Sequence, residues 1–277
     1  MSYPLRLRAV LSVFLCSLLL ALPAAAADTI RIGGTGSGTG GMRLLAEAFM
    51  RAEPGTDVAV LPAVGSTGGI NAVMAGKLEV AVSNRVPTAK EISEAAPLAL
   101  PTVKYARTPF VMVVHKDLGV TQLNAAQLAA VYADGPATYP NGKRARPVLR
   151  LTDSGDTAVL KSFAPEVAIA VDQAATRRGM LNANTDSESA DMATSVPGAI
   201  AMSTLAQIES ERRPLVALTI DNKLPSLANL ESGSYPYFKT LYLVTRADAS
   251  PATRRFAEFV GSVAARKLLE AHGHLTR

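Results

Sequence analysis

Apolar and polar positions alternate over Thr29-Ile30-Arg31-Ile32, the pattern of a strand with one buried face. A run of glycine, serine and threonine follows at once. Met42 to Ala52 then has helical spacing, with Leu45, Ala48 and Phe49 on one face. Asp57 to Leu61 predicts a second strand, Gly65-Ser66-Thr67-Gly68-Gly69 a second glycine loop, and Ile70, Val73 and Met74 a short helix that Gly76 ends. Leu78 to Val82 predicts a third strand. This β-α-β-α-β order implies a parallel sheet with ligand loops at the C-terminal edge of its strands.

Further along, Phe110-Val111-Met112-Val113-Val114 predicts an apolar strand, and Thr121 to Tyr132 a helix through Leu123, Ala126, Leu128, Ala129 and Val131. The segment Ala133 to Arg146 is rich in glycine, proline and charge and reads as a surface loop. Pro147 to Arg150 predicts a strand that runs into a third polar turn, Thr152-Asp153-Ser154-Gly155-Asp156-Thr157, with a helix over Ala158 to Phe163. Gly198 to Met202 and Leu241 to Thr245 predict late strands. Pro251 opens a last helix, expected as one piece over Ala252 to His272. No internal repeat interrupts the pattern.

The first residues change the picture. Arg6 and Arg8 precede an apolar run of about fourteen residues, Ala9 to Leu22, which is short for a membrane span and suited to a secretory leader. Pro23 breaks the run, and Ala24-Ala25-Ala26-Ala27 offers a cleavage site after Ala26 or Ala27. Residues 1–27 are therefore expected to be a cleaved signal peptide. The single cysteine, Cys16, lies inside it, so the mature chain is expected to be cysteine-free and periplasmic. The net charge of +5 at pH 7 loses Arg6 and Arg8 with the leader. That mild balance, with no tryptophan and no basic run among aromatics, argues against a nucleic-acid partner.

The chemistry is concentrated in the three glycine and serine turns. A helix N-terminus carries unpaired N–H groups and about half a positive charge. Glycine lets a ligand approach that backbone, and Ser or Thr hydroxyls add donors. Three such ends converging on one point would hold an oxyanion. Gly36-x-Gly38-x-x-Gly41 is formally a dinucleotide fingerprint, but the second strand ends Val60-Leu61-Pro62, without the acid that would bind a ribose. There is no G-x-x-x-x-G-K-[ST] phosphate loop and no G-x-S-x-G elbow. His115, His272 and His274 form no order recognisable as a triad and are expected at the surface or at helix ends; no metal site or cofactor is expected. Arg150, four residues before Ser154, could place its guanidinium fork on two oxygens of an anion held by the following helix start.

The ordered series resembles the periplasmic phosphate-binding proteins of ABC transporters (periplasmic binding protein type 2-like). It comprises a glycine loop with its helix, Gly65-Ser66-Thr67-Gly68-Gly69-Ile70, a strand ending Ser83-Asn84-Arg85, and R-x-x-x-S-G-x-T at Arg150 to Thr157. LNAAQLAAVYADG, PGAIAMS and YPYFKTLYLVT are also similar to stretches of that family, and the similarity covers essentially the whole mature chain. The resemblance implies an α/β fold of two lobes, each a mostly parallel sheet flanked by helices, joined by crossover strands. The lobes would be 28–113 with 236–277, and 114–235. It implies a monomer that captures an inorganic oxyanion, phosphate favoured, for an inner-membrane ABC permease, without catalysis.

Carried over, the first-lobe contacts would be Ser37, Gly38 and Thr39, then Ser66 and Thr67, then Asn84 and Arg85. The second-lobe contacts would be Arg150, Ser154, Gly155, Asp156 and Thr157. Ligand is expected to shift an open–closed equilibrium, since both lobes supply contacts. Two departures bear on the ligand. Asn84 stands where the family often has an aspartate that accepts the proton of hydrogen phosphate, and Asp156 stands where it often has a threonine. Asp156 then either replaces that acceptor or only stabilises a helix start. Other readings are a binding protein for another oxyanion such as sulfate, a periplasmic anion sensor, and a secreted phosphate-ester hydrolase. The hydrolase would need a nucleophile and base, or a metal set, that the sequence does not display.

Overall fold

The first strand, β1 (Asp28–Gly34), pairs in parallel with β2 (Thr56–Val60) on one side and β3 (Val80–Ser83) on the other, in this computed structural model of residues 28–276. The predicted leader, 1–27, lies outside the described residues. Two helices make the crossovers, α1 (Gly36–Ala52) and α2 (Gly65–Met74), so the predicted β-α-β-α-β unit is present. Both begin earlier than their apolar periodicity suggested. The glycine runs read as loops are the first turns of the helices themselves.

A third helix, α3 (Ala89–Ala95), leads to β4 (Thr102–His115), a 14-residue strand that serves both halves of the molecule. After β4 come β5 (Gln122–Leu123), α4 (Ala125–Tyr132), β6 (Arg146–Leu149), α5 (Gly155–Lys161), α6 (Pro165–Ala175), β7 (Leu181–Asn182) and α7 (Asp186–Ser195). Then follow β8 (Ala199–Thr204), α8 (Leu205–Ser210), β9 (Leu215–Ala217), β10 (Thr219–Ile220) and α9 (Leu227–Ser232). The chain returns along β11 (Phe238–Thr245) and closes with α10 (Pro251–Val260) and α11 (Val263–Glu270). The helix expected over Thr121 to Tyr132 is thus shortened, because Gln122 and Leu123 pair in parallel with Thr219 and Ile220 and Asn124 caps a later start. The single last helix is two. Gly261 ends α10, and the Ser262 hydroxyl caps α11 by accepting from the Ala265 N–H.

The main sheet runs β2-β1-β3-β11-β4-β8-β6-β7, with β9 also paired to β4. Early β4, Thr102 to Pro109, lies antiparallel to β11, while late β4, from Phe110, lies antiparallel to β8. Two cores follow from this. One gathers Ile30, Ile32, Leu45, Phe49, Leu241 and Phe256; the other gathers Phe110, Met112, Leu128, Tyr132, Val171 and Tyr235. The outgoing strand passes from one core to the other between Ala106 and Phe110, and the return passes between Tyr237 and Leu241. The Phe110 N–H donates to the Tyr237 carbonyl at 3.0 Å, which ties the two crossings together. The result is two α/β lobes sharing crossover strands.

The C-terminal tail is fastened to the first lobe. Leu275 bridges Arg107, and His274, expected at the surface or at a helix end, lies just beyond the last helix but fully buried against Gly41. The His274 Nδ1 faces the carbonyl oxygens of His272 and Leu269, at 2.9 and 3.2 Å. Burial lowers its pKa to about 4. The unfolded chain, near 6.5, therefore binds this proton first, so stability is fully present above about pH 6.5 and is lost as pH falls toward 4. Between pH 7 and pH 5 this histidine alone should cost about 2 kcal/mol. Urea midpoints at the two pH values should therefore fall further, or rise less, in the wild type than in His274→Gln, by that amount. An equal slope in both would contradict this role for His274.

Candidate functional site

A cleft of about 650 Å³ opens between the lobes. The first lobe lines it with Thr35, Ser66, Thr67, Asn84 and Arg85, and the return strand adds Phe238, Lys239 and Thr240. The second lobe supplies Arg150, Asp153, Ser154, Gly155, Asp156, Asn184 and Asp186. Local structure explains each wall. Ser66 stands in the first turn of α2; its hydroxyl donates to Asn84 Oδ1 at 2.7 Å and accepts from the Asn84 N–H at 3.0 Å. Arg85 is held by a two-pronged pair with Glu91, at 2.7 and 2.8 Å, and donates to the Thr67 hydroxyl at 2.9 Å. That pairing holds the Glu91 carboxyl down at about 2. Across the cleft, Ser154 caps α5 by accepting from the Thr157 N–H at 3.2 Å.

The floor is a buried quartet of charge. Arg150 reaches Asp156 at 3.3 Å and Asp186 at 3.1 Å. Lys239, at the start of β11, pairs with Asp186 at 2.8 Å and more closely still with Asp156. The four side chains are each 9% exposed or less. Burial pushes the Asp156 carboxyl up to about 6, with Lys239 opposing that rise, whereas Lys239 and Arg150 hold Asp186 well below the usual carboxylate range despite its burial. The two aspartates are one coupled unit, so the direction of each shift belongs to the pair. The Arg150 Nε, in the same floor, has no hydrogen-bond partner among the described residues.

The first glycine run does something other than line a ligand loop. The Ser37 N–H and hydroxyl donate to Asp186 Oδ2 at 3.1 and 2.7 Å. Thr39 turns its hydroxyl back onto the Gly36 carbonyl at 3.1 Å. Gly38 packs on Val82 and Tyr105, where a Cβ would approach to 2.4 and 2.8 Å. A Cβ on Gly36 would meet Ser187, and one on Gly40 would meet Ser210, so α1 needs glycine to lie close to the second lobe. Ser66, Thr67, Asn84, Arg85, Arg150, Ser154, Gly155 and Asp156 do converge on the cleft. Ser37, Gly38, Thr39 and Thr157 are not among its lining residues; the Thr157 hydroxyl donates to the Leu151 carbonyl at 2.8 Å. Asp156 does more than begin a helix, since it neutralises both Lys239 and Arg150. Thr35, Asp186 and Lys239 also line the cleft and were not named by the sequence reading.

Gly155 offers a clean probe of the cleft. A Cβ there would meet nothing within 4 Å, and the helix start suits alanine. Gly155→Ala should leave stability unchanged or raise it by up to about 1 kcal/mol. It should weaken a cleft ligand several-fold, by placing a methyl where the ligand approaches the backbone. Thermal melting and titration on the same sample check both halves; undiminished binding would put the ligand away from α5.

A second groove, of about 710 Å³, is also lined from both lobes, by Arg43 and Glu47 of one and by Glu211, Arg212 and Arg213 of the other among others. Arg43 and Arg213 both pair with Glu211 there. The interlobe cleft has the convergent hydroxyls and the unpartnered guanidinium Nε that recognition of a small anion needs.

Fold and cleft together define a two-lobed solute-binding architecture. The chain matches the PBP superfamily domain over residues 21–263, and it belongs to that superfamily. Among solved structures it is similar to a protein from Clostridium perfringens described as a phosphate ABC transporter substrate-binding protein with bound phosphate. That match has a TM-score of 0.70 and 17% identity and covers 90% of this chain and 100% of the other. It is also similar to the periplasmic molybdate-binding protein of Azotobacter vinelandii, with a TM-score of 0.63, 16% identity and 90% and 99% coverage. An ABC-type phosphate transport receptor from Vibrio cholerae matches with a TM-score of 0.55, 22% identity and 90% and 100% coverage. Comparison with curated proteins gives no match. Among the described residues no helix is long and apolar enough to cross a membrane, and no group of histidine, cysteine and carboxylate side chains could hold a metal ion.

Proposed function

We propose that this chain is a periplasmic solute-binding protein that captures an inorganic oxyanion, phosphate foremost, and delivers it to an inner-membrane ABC permease. The observation that carries the reading is Arg150. Its side chain is buried with Nε unpartnered among the described residues, and it lines the same cleft as Ser154 and Gly155 of one lobe and Ser66 and Thr67 of the other. A buried donor without a partner costs about 1–3 kcal/mol, and an anion oxygen would relieve that cost. With the lobes taken as 28–113 with 236–277 and as 114–235, each supplies one wall. The solved relatives from Clostridium perfringens and Vibrio cholerae, both described as phosphate-transport proteins, support the same choice.

The protein acts as a monomer and performs no chemistry on its ligand. Ester hydrolysis needs a base beside a nucleophile, and the floor carboxylates Asp156 and Asp186 are paired with Arg150 and Lys239 rather than with Ser66 or Ser154. Ser66 and Ser154 are engaged instead with Asn84 and with the start of α5. A second reading, another tetrahedral oxyanion, is favoured by the molybdate-binding relative and by Asn84, which supplies no carboxylate to accept a phosphate proton. Thermal melting with phosphate, sulfate, molybdate and arsenate separates the two. Phosphate at 100-fold its dissociation constant should add about 2.7 kcal/mol of stability. A shift with molybdate or sulfate and none with millimolar phosphate would establish the second reading instead.

A further inference from the structure

The carboxylate of Asp186 is coordinated as a bound anion would be. It sits at the first position of α7, yet it gives nothing to its own helix, which the Thr185 hydroxyl caps by accepting from the Glu188 N–H. Instead it crosses to the other lobe. Oδ2 accepts from the Thr35 hydroxyl at 2.6 Å, the Ser37 hydroxyl at 2.7 Å and the Ser37 N–H at 3.1 Å. Oδ1 accepts from Lys239 Nζ at 2.8 Å and Arg150 Nη1 at 3.1 Å. Five donors on two oxygens saturate a carboxylate. Three of them form the cradle at the N-terminus of α1, the end of a 17-residue helix where an external anion would otherwise be held. Gly36 is what permits the approach, since a Cβ there would come within 3.0 Å of the Asp186 Cβ and within 2.7 Å of the Ser187 hydroxyl.

We propose that Asp186 is a tethered competitor for the ligand: its carboxylate fills the anion cradle of α1, and an external oxyanion gains Thr35, Ser37 and Lys239 only by exchanging with it. The inference rests on the oxyanion reading above and deepens it by naming the residue that sets affinity. Charge gives the expected sign. Asp156 and Asp186 balance Arg150 and Lys239, so the floor offers an incoming anion little net attraction. Removing one carboxylate charge leaves a net positive floor and weakens the side chain's hold on the cradle, so that an anion displaces it more readily. A residue that only supported the site would give the opposite result on removal, a loss of binding.

The test is phosphate titration calorimetry of the mature wild-type chain and of Asp186→Asn, which keeps the shape and removes the charge. Asp186→Asn should bind about tenfold or more tightly. Equal or weaker binding by a folded variant would overturn the proposal while leaving the oxyanion reading in place. No binding of phosphate, sulfate, molybdate or arsenate by either protein would overturn the oxyanion reading itself. A crystal structure of the wild-type phosphate complex supplies a measurement that does not depend on the variant's folding. A phosphate oxygen should lie on Thr35 and Ser37 with the Asp186 carboxylate displaced; bound phosphate with the Asp186 contacts to Thr35 and Ser37 intact would overturn the proposal.

Discussion

Lys239→Ala should destabilise the fold by about 3–5 kcal/mol, because it leaves Asp156 and Asp186 buried together with Arg150 as their remaining cation. Lys239 is 6% exposed. Lys239→Met separates charge from volume: it restores the apolar stem and should recover little of the loss. Urea denaturation checks this, with a lower midpoint expected in both variants at an unchanged denaturant slope. Wild-type midpoints in both would mean that the quartet is solvated in solution.

Arg150→Ala should reduce oxyanion affinity by roughly tenfold to a hundredfold, the range of a lost charge-assisted hydrogen bond of about 1.5–3 kcal/mol. Arg150→Lys keeps the charge and should still lose most of this, because an ammonium cannot reproduce the planar fork that reaches Asp156, Asp186 and the cleft at once. Arg150 also helps to neutralise the two aspartates, so binding must be read on samples shown by circular dichroism to be folded. Wild-type affinity in folded Arg150→Ala would place the ligand away from the floor of the cleft.

Much of the fold was legible because its signals are local. Each of the first three strands announces itself over a few residues, and the first two are each followed by a glycine-rich helix start. Ser66, Asn84, Arg150 and Ser154 were legible for the same reason, since they stand at the ends of strands and the beginnings of helices. The glycine run Gly36 to Gly41 is less easily read. Glycine marks both ligand loops and close helix packing, and here Gly36 and Gly40 serve packing against Ser187 and Ser210. Asp186 was hidden because its partners Thr35 and Ser37 lie 151 and 149 residues away, while its own neighbourhood reads as a capped helix start. Lys239 did leave a trace. The alternation of β11 puts it on the same buried face as Leu241 and Leu243, and a lysine on such a face needs a buried counter-charge.

The most direct measurement is isothermal titration of the purified mature chain with inorganic phosphate, run beside sulfate, molybdate and arsenate. The account predicts saturable binding of one phosphate per chain, weakened in Arg150→Ala and in Gly155→Ala. Absence of saturable binding to any of the four anions at millimolar concentration, in a chain shown to be folded, would contradict it.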